Sequence, residues 1–170
     1  MKKIIPSLLI TLMLIYFASC EKDDICVDGD TPLLYVGFYD VDDTTEFKNV
    51  SSLRIKEVIL DSVLDTFTDR SSALDSVGMP LRIDASSTGF AFISDSEDDE
   101  DTGEETGTID TLTISYETTE AFISRACGFV ANYENLTVTL PESAENWIQD
   151  ITIVEETIEN SNTIHVKIFH

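Results

Sequence analysis

Apolar and polar residues alternate along most of this sequence, and a period of two is typical of strands that bury one face. The pattern recurs, with many threonines at the polar positions, in residues 34–38, 52–60, 88–94, 109–117, 127–133, 136–140, 151–153 and 164–168. No long helical period separates these segments, so they cannot form the strand–helix repeats of a parallel sheet. The sequence therefore predicts an all-β fold, an antiparallel immunoglobulin-like sandwich of about eight strands, over residues 32–170. A short helical turn is expected after Pro141, with Trp147 against the core.

Residues 1–19 have the layout of a secretory signal peptide and are excluded from the fold. Lys2 and Lys3 precede an uncharged apolar run over residues 4–18, and small residues follow it. A membrane-spanning helix needs about 20 apolar residues. This run is shorter and contains Pro6, so cleavage is favoured over a permanent transmembrane anchor.

The end of that segment, Phe17-Ala18-Ser19-Cys20, resembles the lipobox of bacterial lipoproteins, whose cysteine becomes the first residue and carries the lipid. The resemblance implies a multiply acylated (palmitate-bearing) Cys20, and two or more acyl chains anchor a protein stably. It divides the chain into a lipoprotein signal peptide (1–19), an anchor and N-terminal tether (20–31) and one domain (32–170). A soluble secreted protein with an unmodified Cys20 is the alternative.

The residues after Cys20 resemble the export signal of Bacteroidota lipoproteins, in which a lysine and two acidic residues follow the lipidated cysteine. Here they are Lys22, Asp23 and Asp24. The resemblance implies an outer-membrane location with display on the cell surface. An anchor that faces the periplasm is the alternative.

Cysteine pairing follows from the same assignment. If Cys20 carries lipid, Cys26 and Cys127 remain as an even pair in an oxidising compartment, where disulfides form and persist. Their bond would tie the N-terminal segment to a core strand, in which Cys127 shares a face with Phe129 and Ala131. Two unpaired buried thiols are the alternative.

The chain is strongly acidic, with 33 Asp and Glu against 10 Lys and Arg. Its net charge of −23 becomes −25 when Lys2 and Lys3 are removed. Such a surface repels nucleic acid, so none is expected as a partner. Residues 95–107 are predicted to be a mobile acidic loop because like charges repel. A calcium loop of the EF-hand type with Gly103 at its sixth position would need a glutamate where Ile109 stands, so only weak calcium binding remains as an alternative.

Catalytic signatures are lacking in the sequence. The only histidines are His165 and His170, and His165 alternates with Ile164 and Val166, so it is expected to point away from the core. No G-x-S-x-G elbow, zinc-ligand spacing or phosphate-binding loop occurs. We therefore expect no enzyme, no catalytic residue, no metal and no cofactor. An envelope hydrolase that uses paired carboxylates is the alternative.

Four stretches resemble a family of small Bacteroidota lipoproteins classified as a domain of unknown function (family 6452). They are Cys20–Leu34, Gly37–Asp40, Phe122–Leu136 and His165–Phe169. The resemblance implies a location and a rough architecture but no activity. We expect an outer-membrane lipoprotein that acts as a non-enzymatic binding or assembly module. Its expected partners are the membrane, through the lipid anchor, and an envelope protein or ligand whose identity the sequence does not give.

Overall fold

The computed structural model describes residues 25–26 and 29–170. In this part of the chain there are nine strands and no helix. The strands are β1 (Leu34–Tyr39), β2 (Arg54–Glu57), β3 (Ser62–Val63), β4 (Ser76–Met79), β5 (Ser87–Ser94), β6 (Thr108–Ser124), β7 (Gly128–Thr139), β8 (Asp150–Ile153) and β9 (Val166–Phe169). The predicted signal peptide, lipidated Cys20 and export signal at Lys22, Asp23 and Asp24 lie outside the described residues.

The strands form two sheets that enclose one core. One sheet has the order β4-β1-β9-β8 and the other the order β3-β2-β5-β6-β7. The two layers meet where the ring of Phe38 in β1 packs edge-on against Phe92 in β5, with centroids 6.5 Å apart. The largest fully buried apolar side chains come from both sheets, among them Leu34, Ile55, Met79, Phe90, Leu112, Ile114, Tyr133 and Leu136. The all-β, two-layered prediction is confirmed.

One strand pair departs from the predicted antiparallel arrangement. Strands β1 and β9 are parallel, with Val36 opposite Val166 and Phe38 opposite Ile168. Alternation along a strand gives its buried face but not the direction of its neighbour, so the sequence could not reveal this pair. The connection between the two strands is nearly the whole domain.

His165 is buried, which contradicts its expected outward orientation. Its side chain is 0% exposed, and its Nδ1 accepts a hydrogen bond from the Tyr35 N–H at 3.0 Å. Its own N–H donates to the Tyr35 carbonyl at 2.9 Å. The prediction was wrong because β9 begins at Val166, so the strand's alternation does not extend to residue 165. The imidazole instead continues the contact between the first and last strands.

Strands β6 and β7 form a hairpin that extends beyond the other strands of its sheet. The last residue of β6 that pairs with β5 is Ser115, whereas its pairing with β7 continues to Ser124 opposite Gly128. Nine further residues at about 3.3 Å each make an extension of about 30 Å. We call residues 122–129 at its end the hairpin tip. The sequence predicted two separate segments here, and the structure joins them as β7, with Asn135 at a positive φ of 55° next to a break in register.

The expected helical turn after Pro141 is absent. Residues 141–149 form an irregular connection with a single turn at 144–145. Trp147 does pack against the core, and its Nε1 donates to the carbonyl of Phe92 at 3.3 Å. The buried carboxylate of Asp110 accepts a hydrogen bond from the Ile148 N–H at 2.8 Å. These two side-chain contacts fix the connection without a helix.

Candidate functional site

The predicted disulfide between Cys26 and Cys127 is present, with its Cα atoms 4.8 Å apart. Cys127 lies in the turn of the hairpin tip and not in a strand, which corrects its expected position. Its N–H donates to Ser124 Oγ at 3.0 Å. A Cβ added to Gly29 would lie 2.3 Å from the sulfur of Cys26, so this position needs glycine. The bond therefore fixes the N-terminal segment to the far end of the β6–β7 hairpin.

The hairpin tip carries exposed aromatic side chains. Phe122 and Phe129 are directly opposed, and their rings pack edge to face with centroids 5.3 Å apart. Phe122 is nevertheless 60% exposed and Phe129 65% exposed. The expectation that Phe129 shares a buried face with Cys127 was wrong, because the hairpin extends beyond the strand that flanks it. Two adjacent exposed phenylalanines form an apolar patch on an otherwise acidic protein. Large exposed apolar patches mark interaction sites, so this patch is a candidate for one.

A second apolar surface surrounds a cavity of about 520 Å³ at the same end of the sandwich body. Pro32 and Leu81 form part of its wall, and both are buried. Leu60 and Ile83 line its mouth and are 69% and 64% exposed. This cavity and its mouth are called the apolar cavity below.

Buried hydroxyl groups hold the wall of the apolar cavity. Tyr133 Oη donates to the Leu81 carbonyl at 3.0 Å, and Tyr116 Oη donates to the Arg82 carbonyl at 2.7 Å. Thr88 Oγ1 lies 2.6 Å from Tyr116 Oη and accepts from the Arg82 N–H at 3.1 Å. Burial raises the pKa of Tyr133 to about 12. These contacts make the wall a rigid part of the core.

Glu57 lies beneath the turn that carries Leu60. It is 7% exposed, and its Oε2 accepts a hydrogen bond from the Leu60 N–H. Its Oε1 has no hydrogen-bond partner among the described residues. The carboxylate thus shapes the mouth of the apolar cavity through the backbone of the turn.

The acidic loop 95–107 lies at the opposite end of the sandwich and is tied down by two arginines. Arg54 contacts Asp69 Oδ2 at 2.6 Å and Glu105 Oε2 at 3.1 Å, and Arg70 pairs with Asp98. The hydrogen bond from Arg70 holds the pKa of Asp98 below its usual range. The predicted mobility of the loop stays a prediction.

The same contacts bear on the calcium alternative. Asp98 stands at the first position of the calcium loop considered above, in which Gly103 is the sixth. It already accepts two hydrogen bonds from the Arg70 guanidinium, one of them at 2.9 Å. Ser96, next to the loop's start, is fully buried and donates to Glu105 at 2.9 Å. Within residues 25–26 and 29–170, no three His, Cys, Asp or Glu side chains are grouped as metal ligands.

The remaining titratable groups in the interior have structural roles. Burial raises the pKa of Asp110 and lowers the pKa of His165 and of His170. Asp110 is engaged by backbone N–H groups and His165 by Tyr35. His170 Nε2 lies 3.0 Å from the carbonyl of Lys48. Sequence reasoning missed Asp110, Glu57 and the tyrosines because their burial depends on which strands meet.

Comparison with known proteins places the chain in a family. The model of the Family of unknown function (DUF6452) matches residues 41–170, and the chain belongs to this family. Comparisons with curated proteins and with solved structures gave no match. The described residues contain no helix that is long and apolar enough to cross a bilayer.

Proposed function

We propose that this protein is an outer-membrane lipoprotein of Bacteroidota, displayed on the cell surface, that acts as a non-enzymatic binding or assembly module on an immunoglobulin-like sandwich. The disulfide is the observation that carries the proposal. It fixes Cys26, six residues after the proposed lipid site at Cys20, to one end of the domain. A lipid there gives the whole domain a defined orientation toward the membrane, which a free tether would not.

The apolar cavity is the proposed binding surface. Its wall is rigid because Tyr116 and Tyr133 hold it, and its mouth exposes Leu60 and Ile83. Clefts of several hundred cubic ångströms with apolar walls and a few polar groups are the usual form of binding sites. An envelope protein or an apolar ligand group suits this chemistry better than a nucleic acid does.

The anchor is tested by replacing Cys20 with alanine in the full chain. We expect the variant to leave the membrane fraction, whereas a Cys26→Ser/Cys127→Ser variant stays there because it keeps the lipid site. Retention of Cys20→Ala in the outer membrane would contradict the lipoprotein assignment. A chain in which Lys22, Asp23 and Asp24 are replaced by alanine should stay in the outer membrane. It should, however, be protected from protease added to intact cells, because it would no longer be displayed on the surface.

The binding role is tested with a photo-crosslinking residue at Leu60 in living cells. Ile109 is the matched control position, because it is also an exposed apolar residue but lies in the opposite part of the sandwich. We expect a reproducible envelope partner from position 60 and none from position 109. Equal or absent products at both positions would count against the apolar cavity as the binding surface.

A further inference from the structure

We propose that the hairpin tip is a second membrane contact, in which Phe122 and Phe129 lie in the interfacial region of the bilayer that holds the lipid anchor. The occupant of this exposed patch is thus the lipid surface that holds the anchor. The inference rests on the proposed anchor at Cys20 and adds to it a contact made by the folded domain itself.

The length of chain between the anchor and the disulfide brings the tip to the bilayer. Cys26 is six positions after Cys20, and an extended chain spans at most about 3.6 Å per residue, or about 20 Å in all. Cys127 follows at a Cα distance of 4.8 Å. Phe129 is only two residues further along the chain. The disulfide therefore keeps Phe129 within about 30 Å of the proposed lipid site at Cys20.

Charge at the tip also suits a lipid surface. Residues 121–133 contain no acidic residue, although the chain has 33, and Arg125 is the tip's charged side chain. Aromatic and aliphatic side chains that enter the interface gain free energy from the apolar area that they remove from water. Ile25, which is 84% exposed beside the disulfide, adds apolar area at the same place.

An acidic residue limits the depth of this contact. Glu120 is two residues before Phe122 on β6, opposite Ala131, so it projects from the same face of the hairpin. Its Cα lies about 7 Å behind the aromatic pair along the strand. The carboxylate needs water, so the tip enters the interface but not the hydrocarbon core. The contact is apolar in origin and should persist when salt screens the charges of the acidic domain.

The test places a fluorescent reporter at the tip. A Phe122→Trp chain is purified from membranes with its own anchor and reconstituted in phosphatidylcholine vesicles that contain a lipid with a nitroxide on its head group, which quenches tryptophan at the depth of the interface. Ile109→Trp is the matched control, because it lies on the same strand thirteen residues away, about 40 Å along β6. The native Trp147 gives a constant background near that control position. We expect quenching and a blue shift of the added emission for Phe122→Trp only, in low and in high salt.

Several outcomes would overturn the inference. Emission of Phe122→Trp that is equal in nitroxide-labelled and plain lipid contradicts the lipid contact, and so does quenching that disappears in high salt. A blue shift that depends on protein concentration but not on lipid would show a second copy of the chain at the tip instead. A chain that is not recovered from membranes contradicts the anchor, not the tip. In that case the described domain, which contains both sheets, is held on the same vesicles by an N-terminal hexahistidine tag and nickel-chelating lipid, and the emission is compared again.

Discussion

Replacing both Cys26 and Cys127 with serine should lower the free energy of unfolding by about 2.5 kcal/mol. The bond joins residues 101 positions apart. The chain-entropy model gives about 4.7 kcal/mol for a loop of that length. Not all of it is realised. Cys26, Asp30 and Thr31 are exposed, so we expect the chain before the buried Pro32 to become free in the native state once the bond is gone. The same model gives about 2.2 kcal/mol for that six-residue stretch, and the difference is the expected loss.

The assay is urea unfolding of the oxidised protein, the reduced protein and the double variant. The reduced protein serves as the control, since it should match the variant within error if serine adds no effect of its own. A loss close to 4.7 kcal/mol would show that the chain before Pro32 gains no freedom in the native state when the bond is removed. A loss below about 1 kcal/mol would refute the reasoning, because the bond would then not constrain the unfolded chain.

Three further outcomes are expected. Tyr133→Phe should cost about 1 kcal/mol through the lost hydrogen bond. The parent chain should lose stability between pH 10 and about 12, because the pKa of Tyr133 is higher in the folded chain than in the unfolded chain, which ionises first. The variant should lack this loss, and urea unfolding at pH 8 and 11 measures both effects. His165→Gln should weaken the acid sensitivity of the domain, because burial lowers the pKa of the native imidazole and its stability contribution is lost as the pH falls below about 6.5. Unfolding is measured at pH 7.5 and 5. If the variant and the parent chain lose the same stability between these two pH values, the expectation is wrong. Arg54→Met should cost about 1–2 kcal/mol, since Asp69 and Glu105 lose a partly buried guanidinium. It should also speed hydrogen exchange at Glu97, whose N–H donates to Glu105 Oε1 at 3.1 Å; unchanged exchange would mean that Arg54 does not order the acidic loop.

The fold was predictable wherever local pattern decides structure. Alternation located β1, β5 and β9 within one or two residues, because apolar side chains at every second position of each strand lie in the core. Strand β4 was missed since Ser76–Met79 is too short to show a period, and Val77, Gly78 and Met79 are all buried. Direction and partner depend on the whole chain, so the parallel β1–β9 pair could not be derived from either strand.

The candidate site was predictable only in its covalent part. The pairing of Cys26 with Cys127 followed from a count of three cysteines with one assigned to lipid. The exposure of Phe129 could not be inferred, because alternation predicts two faces and does not say how far a hairpin extends past its neighbours. The apolar cavity depends on Pro32, Leu60 and Ile83, which come from three distant segments and carry no shared sequence signal.

The contact between the first and last strands has a consequence for the order of events during biogenesis. Tyr35 and His165 are 130 residues apart in sequence, and their hydrogen bonds join β1 to the start of β9. Strand β1 has β4 on one side and β9 on the other, so its sheet stays open until residues 166–169 are available. Such a chain folds slowly while it is still being synthesised or translocated. Closing so long a loop costs conformational entropy, and the contacts that offset this cost form only when β9 pairs with β1. Deleting residues 165–170 should therefore leave a chain that remains competent for translocation but never matures into a protease-resistant domain.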